Sequence, residues 1–348
     1  MLGYMKDNGS SFTFDAFGVH PYHTRLAPEV SDSWIENTTW TQQAATVNEL
    51  FSEYGVTGKQ NWATEVGYTS TGGQETKKAS WLLRTIILNR IYGYHDKMFL
   101  FNLTDNGLDT DDDEHNYGML LNWENTKWNK VTANAAKEQY LVTAQWNKLM
   151  AGAEFKNYTV EEREEKSAFG YVYQTAMEQY TASFENNGDK IKVVWDVHNN
   201  GEEVTLTEEN TTAITVYDMY GNVLNRSYGA DSVTVEAGEN PVYAVFSDDI
   251  MYVLKNDSII ENTENLESGQ TVTVNADLDG GSEKLFICAS YNGNKLENVK
   301  FLKLDSDGRA DMALALDAGR KYMLMLWDDF ENMTPLAEPL IISTKGEN

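Results

Sequence analysis

Residues 61–103, NWATEVGYTSTGGQETKKASWLLRTIILNRIYGYHDKMFLFNL, contain two short apolar runs separated by a long amphipathic segment. The runs at 61–66 and 97–103 predict β-strands. Apolar residues recur every three or four positions between Glu75 and Tyr92, which predicts a helix. A strand, a helix and a second strand at this spacing are typical of a parallel βα unit, whose strands are covered on both faces.

The flanking sequence repeats this arrangement on both sides. Phe14 to Val19 predicts an earlier strand, Thr38 to Tyr54 an amphipathic helix ended by a glycine, and Ala133 to Met150 a last helix. Three βα units are fewer than the eight that a closed barrel needs. Residues 1–152 are therefore predicted to be the C-terminal part of a (β/α)8 barrel, in a chain truncated at its N-terminus. Its open edge is expected to allow self-association.

Beyond residue 152 the hydrophobic pattern changes to period two, with short strands separated by Asn/Gly turns. This spacing predicts two antiparallel β-sandwich domains, over residues 153–249 and 250–348. The predicted fold class is therefore multidomain, α/β plus all-β: a partial TIM barrel followed by two sandwiches.

Composition excludes several classes of partner. The chain has 54 acidic and 27 basic residues, a formal charge of −27 that disfavours nucleic acid and anionic membrane surfaces. No apolar run reaches the roughly 20 residues of a membrane span. The single cysteine, Cys288, lies in an apolar run and is predicted to be a buried, inert thiol; no metal site or cofactor is predicted. The 9 Trp, 19 Tyr and 13 Phe fit a carbohydrate partner without proving one.

Three residues at strand ends are candidates for chemistry. Glu65 ends the strand 61–66, where βα enzymes place catalytic groups. His20 and Tyr22 end the preceding strand, and their spacing points both side chains to one face, from which Tyr22 can donate to a carboxylate on the next strand. The alternatives are a strand-end glutamate that accepts from loop amides and a core histidine. Strict alternation places Trp62 toward the helices and Glu65 toward the barrel interior.

Three segments together carry a family resemblance. FDAFGVHPYH (14–23), WATEVGYTS (62–70) and the segment FLFNLTDNGLDTDDDEHNYGML (99–120) resemble strands six, seven and eight of a clan A glycoside hydrolase, closest to the β-xylosidase-like branch that includes family 39. The resemblance implies a TIM barrel followed by a β-sandwich. It also implies that Glu65 is the nucleophile, and that His20 and Tyr22 contact the sugar and position that nucleophile.

The sequence departs from this family in two places. The family's acid/base is a glutamate that follows an asparagine on strand four, whereas Asn48-Glu49 lies in a predicted helix. Relatives usually carry a tryptophan on strand eight as the floor of the sugar site, and here Phe101 is the candidate substitute.

The leading hypothesis is therefore a retaining glycosidase acting on polysaccharide or oligosaccharide, in a chain that lacks its acid/base. It is expected to be extracellular or at the cell surface, with a signal peptide on the missing N-terminal part. The alternatives are a non-catalytic carbohydrate-binding or structural module, with Tyr217, Tyr220 and Tyr228 as an aromatic platform, and a degenerate hydrolase. The acidic run 109–114 is predicted to be a solvated loop; whether it binds calcium stays open.

Overall fold

The structure, a computed structural model, describes the chain apart from residues 1, 10–11, 34–36, 125–134, 167–171, 199–200, 210, 212, 229–230, 248–249, 257, 261, 279–282, 307 and 347–348. The described residues form a mixed α/β structure with much sheet and few helices. The helices are α1 (Leu2–Asp7), α2 (Trp40–Tyr54), α3 (Glu75–Tyr92) and α4 (Glu138–Met150). The strands are β1 (Ala16–Val19), β2 (Gln60–Val66), β3 (Lys97–Leu100), β4 (Glu154–Lys166), β5 (Val172–Asn186), β6 (Asp189–Asp196), β7 (Glu202–Thr207), β8 (Ala213–Tyr217), β9 (Val223–Tyr228), β10 (Ser232–Ala237), β11 (Val242–Ser247), β12 (Ile250–Lys255), β13 (Ser258–Ile259), β14 (Thr271–Asp277), β15 (Leu285–Asn292), β16 (Lys295–Lys303), β17 (Arg309–Ala315), β18 (Arg320–Trp327) and β19 (Leu340–Ser343).

The first three strands form a parallel sheet in the order β1-β2-β3, as the βα pattern predicts. Helix α2 follows β1 and begins with a capping box, in which Thr39 and Gln42 each accept a hydrogen bond from the other's backbone N–H. It ends at Gly55, whose φ of 69° is the left-handed conformation that glycine adopts without strain.

The two faces of this parallel sheet differ. On one face Phe17 packs against Phe51 of α2, with ring centroids 6.0 Å apart. On the other face Trp62 lies 6.0 Å from Phe99, and the Lys97 ammonium lies 4.5 Å from the Trp62 ring. Phe99 remains 48% exposed. We call the face that carries Trp62, Lys97 and Phe99 the open face.

Two predicted element bounds are wrong. The strand predicted over 97–103 ends at Leu100, because residues 102 and 103 instead hydrogen-bond to residues 117–120 of the following loop. The helix predicted from Ala133 begins at Glu138. Of the residues before it, 133–134 lie outside the described part of the chain.

A six-stranded sheet, in the order β4-β5-β6-β11-β8-β9, follows α4, together with a two-stranded sheet of β7 and β10. The strands β4, β5 and β6 pair antiparallel, and the long β4–β5 hairpin was not predicted from the sequence. Helix α4 packs on this sheet through Trp146, whose ring meets Phe184 edge-on at 5.8 Å.

A buried ion pair joins the βα segment to this sheet. The guanidinium of Arg84 on α3 donates from Nε to Glu29 Oε1 at 2.9 Å and pairs with Oε2 through a second nitrogen. Both side chains are at most 1% exposed. The indole N–H of Trp195 on β6 donates to Glu29 Oε1 at 2.8 Å. Each of these charges therefore has a partner that offsets its desolvation.

The C-terminal strands form two four-stranded sheets, β13-β12-β14-β17 and β16-β15-β18-β19. One hydrophobic core contains side chains from both, such as Val274 and Met312 from the first and Phe286 and Leu324 from the second. Two sheets that share one core in this way pack face to face. Cys288 is a buried free thiol in this core, and burial raises its pKa to about 11.

The chain divides into two compact units. The first comprises Met1–Leu206, Val216–Leu224 and Thr234–Ala244, and the second comprises Thr207–Thr215, Asn225–Val233 and Val245–Asn348. The three domains at 1–152, 153–249 and 250–348 stay a prediction. Among the described residues, no helix is long and apolar enough to cross a membrane.

Candidate active site at the strand ends

The three candidate residues meet at the C-terminal end of the parallel sheet. The Tyr22 hydroxyl donates a hydrogen bond to Glu65 Oε2 at 3.0 Å, and His20 Nδ1 lies 3.4 Å from the same oxygen. The hydrogen bond predicted from the i, i+2 spacing is therefore present. The Glu65 side chain is 37% exposed, so one edge of the carboxylate can meet an incoming molecule.

A β-bulge sets the direction of Glu65. Ala63 pairs with Met98 and Val66 pairs with Leu100, so Thr64 and Glu65 together lie opposite the single residue Phe99. Such bulges re-aim a side chain at sheet rims. Here the bulge turns Glu65 away from the helices, to the side where His20 and Tyr22 lie.

Trp62 lies on the face opposite to the one predicted. The neighbouring Asn61 donates to Asn48 of α2 at 3.4 Å, so Asn61 points toward the helices and Trp62 points away from them. The alternation rule was correct at Trp62's neighbours. The predicted face was wrong because strict alternation was assumed between Trp62 and Glu65. The bulge at Thr64 and Glu65 breaks that alternation.

Burial and the neighbouring carboxylate keep the Tyr22 phenol protonated. Burial, and then the hydrogen bond to the Glu65 carboxylate, raise the pKa of Tyr22 well above its ordinary value of 10. Tyr22 is therefore a hydrogen-bond donor to Glu65 at all physiological pH values. A fixed donor on one oxygen orients the carboxylate and leaves the other oxygen available for chemistry.

Aromatic rings form a wall beside the carboxylate. Phe101, directly after β3, meets Tyr22 edge-on at 6.4 Å, and Tyr117 lies 5.9 Å from Tyr22 and 5.6 Å from Phe101. Burial raises the pKa of Tyr117 to about 12. Tyr117 was not among the sequence candidates, because it lies in a loop whose local pattern gives no sign of where the loop folds back.

Gly67 makes room for this wall. A Cβ at this position would lie 2.2 Å from the carbonyl oxygen of Phe101 and 3.4 Å from the Tyr117 ring. No side chain fits at the first of these distances. The residue after β2 therefore has to be glycine for Phe101 to reach its observed position.

A buried lysine anchors the loop that carries Tyr117. Lys137 Nζ donates to Asp105 Oδ1 at 2.9 Å and to the carbonyl of Asn116 at 3.0 Å, and Asp105 also accepts from the N–H of Gly118 at 2.8 Å. Burial raises the pKa of Asp105, and Lys137 opposes that shift. The loop is thus tied to the residue that precedes α4.

The acidic run 109–114 is exposed, and its carboxylates stabilise its own turns. Asp109 accepts from the N–H of Asp111, and Asp112 from that of Glu114, both at 3.0 Å. Within the part of the chain that the structure describes, no three histidine, cysteine or acidic side chains are grouped so as to hold a metal ion. The run therefore has the character of the solvated loop that the sequence predicts.

Asn48-Glu49, the chain's Asn-Glu pair, lies within α2. Asn48 donates from Nδ2 to the carbonyl of Tyr94 at 3.0 Å, so its side chain makes a packing contact on the helix side of the sheet. This pair is therefore not at a strand end beside Glu65.

The architecture is similar to that of glycoside hydrolases. A family 39 glycoside hydrolase from the gut symbiont Bacteroides cellulosilyticus WH2 superposes with a TM-score of 0.51 at 18% sequence identity, over 70% of this chain and 46% of that chain. The present chain thus spans about half the length of that enzyme.

Two further solved structures are more distant. A family 30 endoxylanase from Clostridium papyrosolvens C71 has a TM-score of 0.37 at 12% identity, over 71% of this chain and 68% of that one. A family 30 subfamily 8 xylanase from Clostridium acetobutylicum has a TM-score of 0.33 at 12% identity, over 71% and 69%. Neither a protein-family model nor a curated protein matches the sequence. The comparisons thus show a glycosidase-like fold and leave the family open.

Proposed function

We propose that Glu65 is the nucleophile of a retaining glycoside hydrolase that acts on polysaccharide or oligosaccharide. The observation that carries this proposal is the hydrogen bond from Tyr22 to Glu65, with His20 beside it, at the exposed ends of two adjacent parallel strands. A carboxylate oriented in this way suits attack on an anomeric carbon. The glycosidase-like fold supports this choice of reaction.

His20 and Tyr22 have positioning roles in this proposal, and Phe101 has a binding role. Tyr22 holds one Glu65 oxygen, so the other oxygen faces the sugar. Phe101 offers an apolar ring edge beside the carboxylate, in the place of the family's tryptophan floor. Its role as a sugar contact is a part of the proposal.

A retaining mechanism needs a second carboxyl group about 5–5.5 Å from the nucleophile, to protonate the leaving oxygen. We propose that this acid/base belongs to further strands outside these 348 residues, and that β1, β2 and β3 are the last three strands of a barrel. The open face supports this idea, since Trp62 and Phe99 occupy the side that such strands would cover. Self-association through the exposed edge of this partial barrel stays a prediction. A location outside the cell, or at its surface, follows from the substrate class.

The test is covalent labelling of the nucleophile by an activated fluorosugar, a dinitrophenyl deoxyfluoro-β-xyloside. A dinitrophenolate leaves without protonation, so this reagent reports attack by Glu65 without the help of the proposed acid/base. We expect one sugar unit to be added, on a peptide that contains Glu65.

Two variants make the labelling specific. Glu65→Gln removes the nucleophile and is expected to abolish the label. Glu53→Gln is the matched control, since Glu53 is an exposed glutamate on α2, and its label is expected to be unchanged. A label that persists in Glu65→Gln, or no label on the folded chain, contradicts the assignment.

The alternative is a non-catalytic carbohydrate-binding or structural module. The proposed platform receives little support, because Tyr220 is hydrogen-bonded to Glu138 of α4 and the Tyr228 side chain lies outside the described part of the chain. Retention of the full chain on insoluble polysaccharide, with no labelling at Glu65, would favour this second function.

A further inference from the structure

The sheet of β16, β15, β18 and β19 is apolar on both of its faces. Residues directly opposite each other in an antiparallel pair point to the same side. Phe301 pairs with Ile287, which pairs with Met325, and this row lies on the side away from the core. Six apolar side chains point to this side: Val299, Phe301, Met323, Met325, Trp327 and Ile341. We call these six the outer face.

The outer face is exposed along its edge strands β16 and β19, whereas Leu285, Ile287 and Ala289 on the same side of the central strand β15 are at most 4% exposed. Phe301 is 54% exposed, Val299 48% and Ile341 37%. Phe330, in the turn after β18, is 55% exposed and meets Phe301 edge-on at 5.0 Å. An aromatic side chain offers about 150–250 Å², so these two rings alone expose about 200 Å². Antiparallel sheets usually present a polar face to water, and contiguous apolar patches of a few hundred Å² mark interaction sites.

The chemistry of the outer face fits a protein surface better than a sugar. Sugar rings stack on aromatic rings that lie flat against the binding surface, whereas Phe301 and Phe330 are inclined at 87° to each other. Most of the other members are aliphatic or thioether side chains. Methionine side chains such as Met323 and Met325 adapt to an irregular protein surface.

The charges at the two ends of β18 differ in sign. At its start Arg320 and Lys321 outnumber Glu297, which pairs with Arg320. At its other end Asp328, Asp329, Glu331 and Glu283 outnumber Lys284 and Lys303. The two ends are roughly 20 Å apart, at about 3.4 Å per residue. A second copy turned end for end, about a two-fold axis between two outer faces, brings each Lys321 over the acidic turn of the other copy. The remaining surface of a chain with charge −27 repels a second copy, so this arrangement is favoured over random contact.

We propose that the outer face is a dimer interface, in which two copies of this chain stack their outer faces antiparallel. Phe301, Phe330 and Trp327 form the apolar centre, and Lys321 and Glu331 form ion pairs across the two-fold axis. Face-to-face sheets pack about 10 Å apart, which the interdigitation of such side chains provides. This inference does not depend on the proposed glycosidase function.

The experiment is sedimentation equilibrium of the full chain from low micromolar to hundreds of micromolar concentration. We expect a monomer–dimer equilibrium. Phe301→Ser should raise its dissociation constant at least tenfold, as is usual for a central aromatic residue. Phe99→Ser separates this interface from association at the partial barrel: Phe99 is 48% exposed on the open face, and a dimer held by the outer face should keep its dissociation constant in that variant. Ile341→Lys on β19 provides a second, independent test.

A charge exchange tests the orientation. Lys321→Glu or Glu331→Lys alone should weaken the dimer, and the double variant should restore it. A wild-type chain that stays monomeric at all concentrations overturns the proposal. So does a dimer that survives both Phe301→Ser and Ile341→Lys, or one that is lost in Phe99→Ser instead. Circular dichroism on each variant separates loss of the dimer from loss of the fold.

Discussion

Replacing Arg84 by methionine tests whether the buried ion pair holds the first compact unit together. The change leaves the Glu29 side chain, 1% exposed, without its guanidinium partner, while the Trp195 indole still donates to it. Breaking a buried pair from one side costs about 3–5 kcal/mol, because an uncompensated charge stays in a low-dielectric site. Since a domain is stabilised by about 5–15 kcal/mol in total, the unit should lose a large part of its stability.

The double variant Arg84→Met, Glu29→Gln gives the sharper result. It removes both charges and keeps an amide oxygen that accepts from the Trp195 indole. We expect it to be more stable than Arg84→Met alone, so the two effects are strongly non-additive. Lys156→Met is the control: Lys156 pairs with Glu154 and Glu185 at 2.9 Å, but all three side chains are at least 37% exposed. Loss of this exposed pair should change the stability little, since solvent screens such pairs.

Urea unfolding followed by tryptophan fluorescence suits this test, because eight of the nine tryptophans lie within Met1–Leu206 of the first unit. The signal therefore reports mainly on the unit that contains the pair. An Arg84→Met midpoint as close to wild type as that of Lys156→Met would refute the reasoning. A double variant that is no more stable than Arg84→Met would also refute it.

Three further outcomes are expected. Burial lowers the pKa of His95 from 6.5 to about 4, so the unfolded chain takes up a proton before the folded chain does as the pH falls. The free energy of unfolding should therefore fall by about 2 kcal/mol between about pH 7.5 and 5. In urea titrations at both pH values, His95→Leu should lose less. Gly67→Ala should displace Phe101 and reduce fluorosugar labelling of Glu65, whereas Gly72→Ala, at φ 74° with open space around it, should only lower the melting temperature. Tyr22→Phe should slow labelling by about tenfold or more while the melting temperature changes little, since it removes one charge-assisted hydrogen bond at a half-exposed site.

The sequence was informative where one residue type decides a local structure. The apolar run from Lys97 predicted strand β3, although the strand ends at Leu100, and Gly55 predicted the end of α2. The spacing of His20 and Tyr22 predicted their shared approach to Glu65. These inferences need only the alternation of side chains and the conformational range of glycine.

The remaining features depend on contacts between distant segments. Tyr117 reaches Tyr22 because Lys137 and Asp105 fold its loop back, and neither partner has a local sequence pattern that indicates this. The β4–β5 hairpin contains the charged run Glu161–Lys166, which has no alternation to indicate a strand. Both the Tyr117 loop and the β4–β5 hairpin are determined by residues that are distant in the sequence.

The bulge at Thr64 and Glu65 connects the proposed chemistry to the open face. Glu65 points to Tyr22 because two residues of β2 lie opposite Phe99, and Phe99 is half-exposed on the side where further strands of a barrel would pack. Side chains from such strands would fix Phe99 and Trp62, and through them the register at which the bulge forms. The direction of Glu65 is thus set from both sides, by the phenol of Tyr22 at the strand ends and by the strands proposed to cover the open face. Completing the sheet would supply the proposed acid/base and also hold Glu65 more firmly in its present direction.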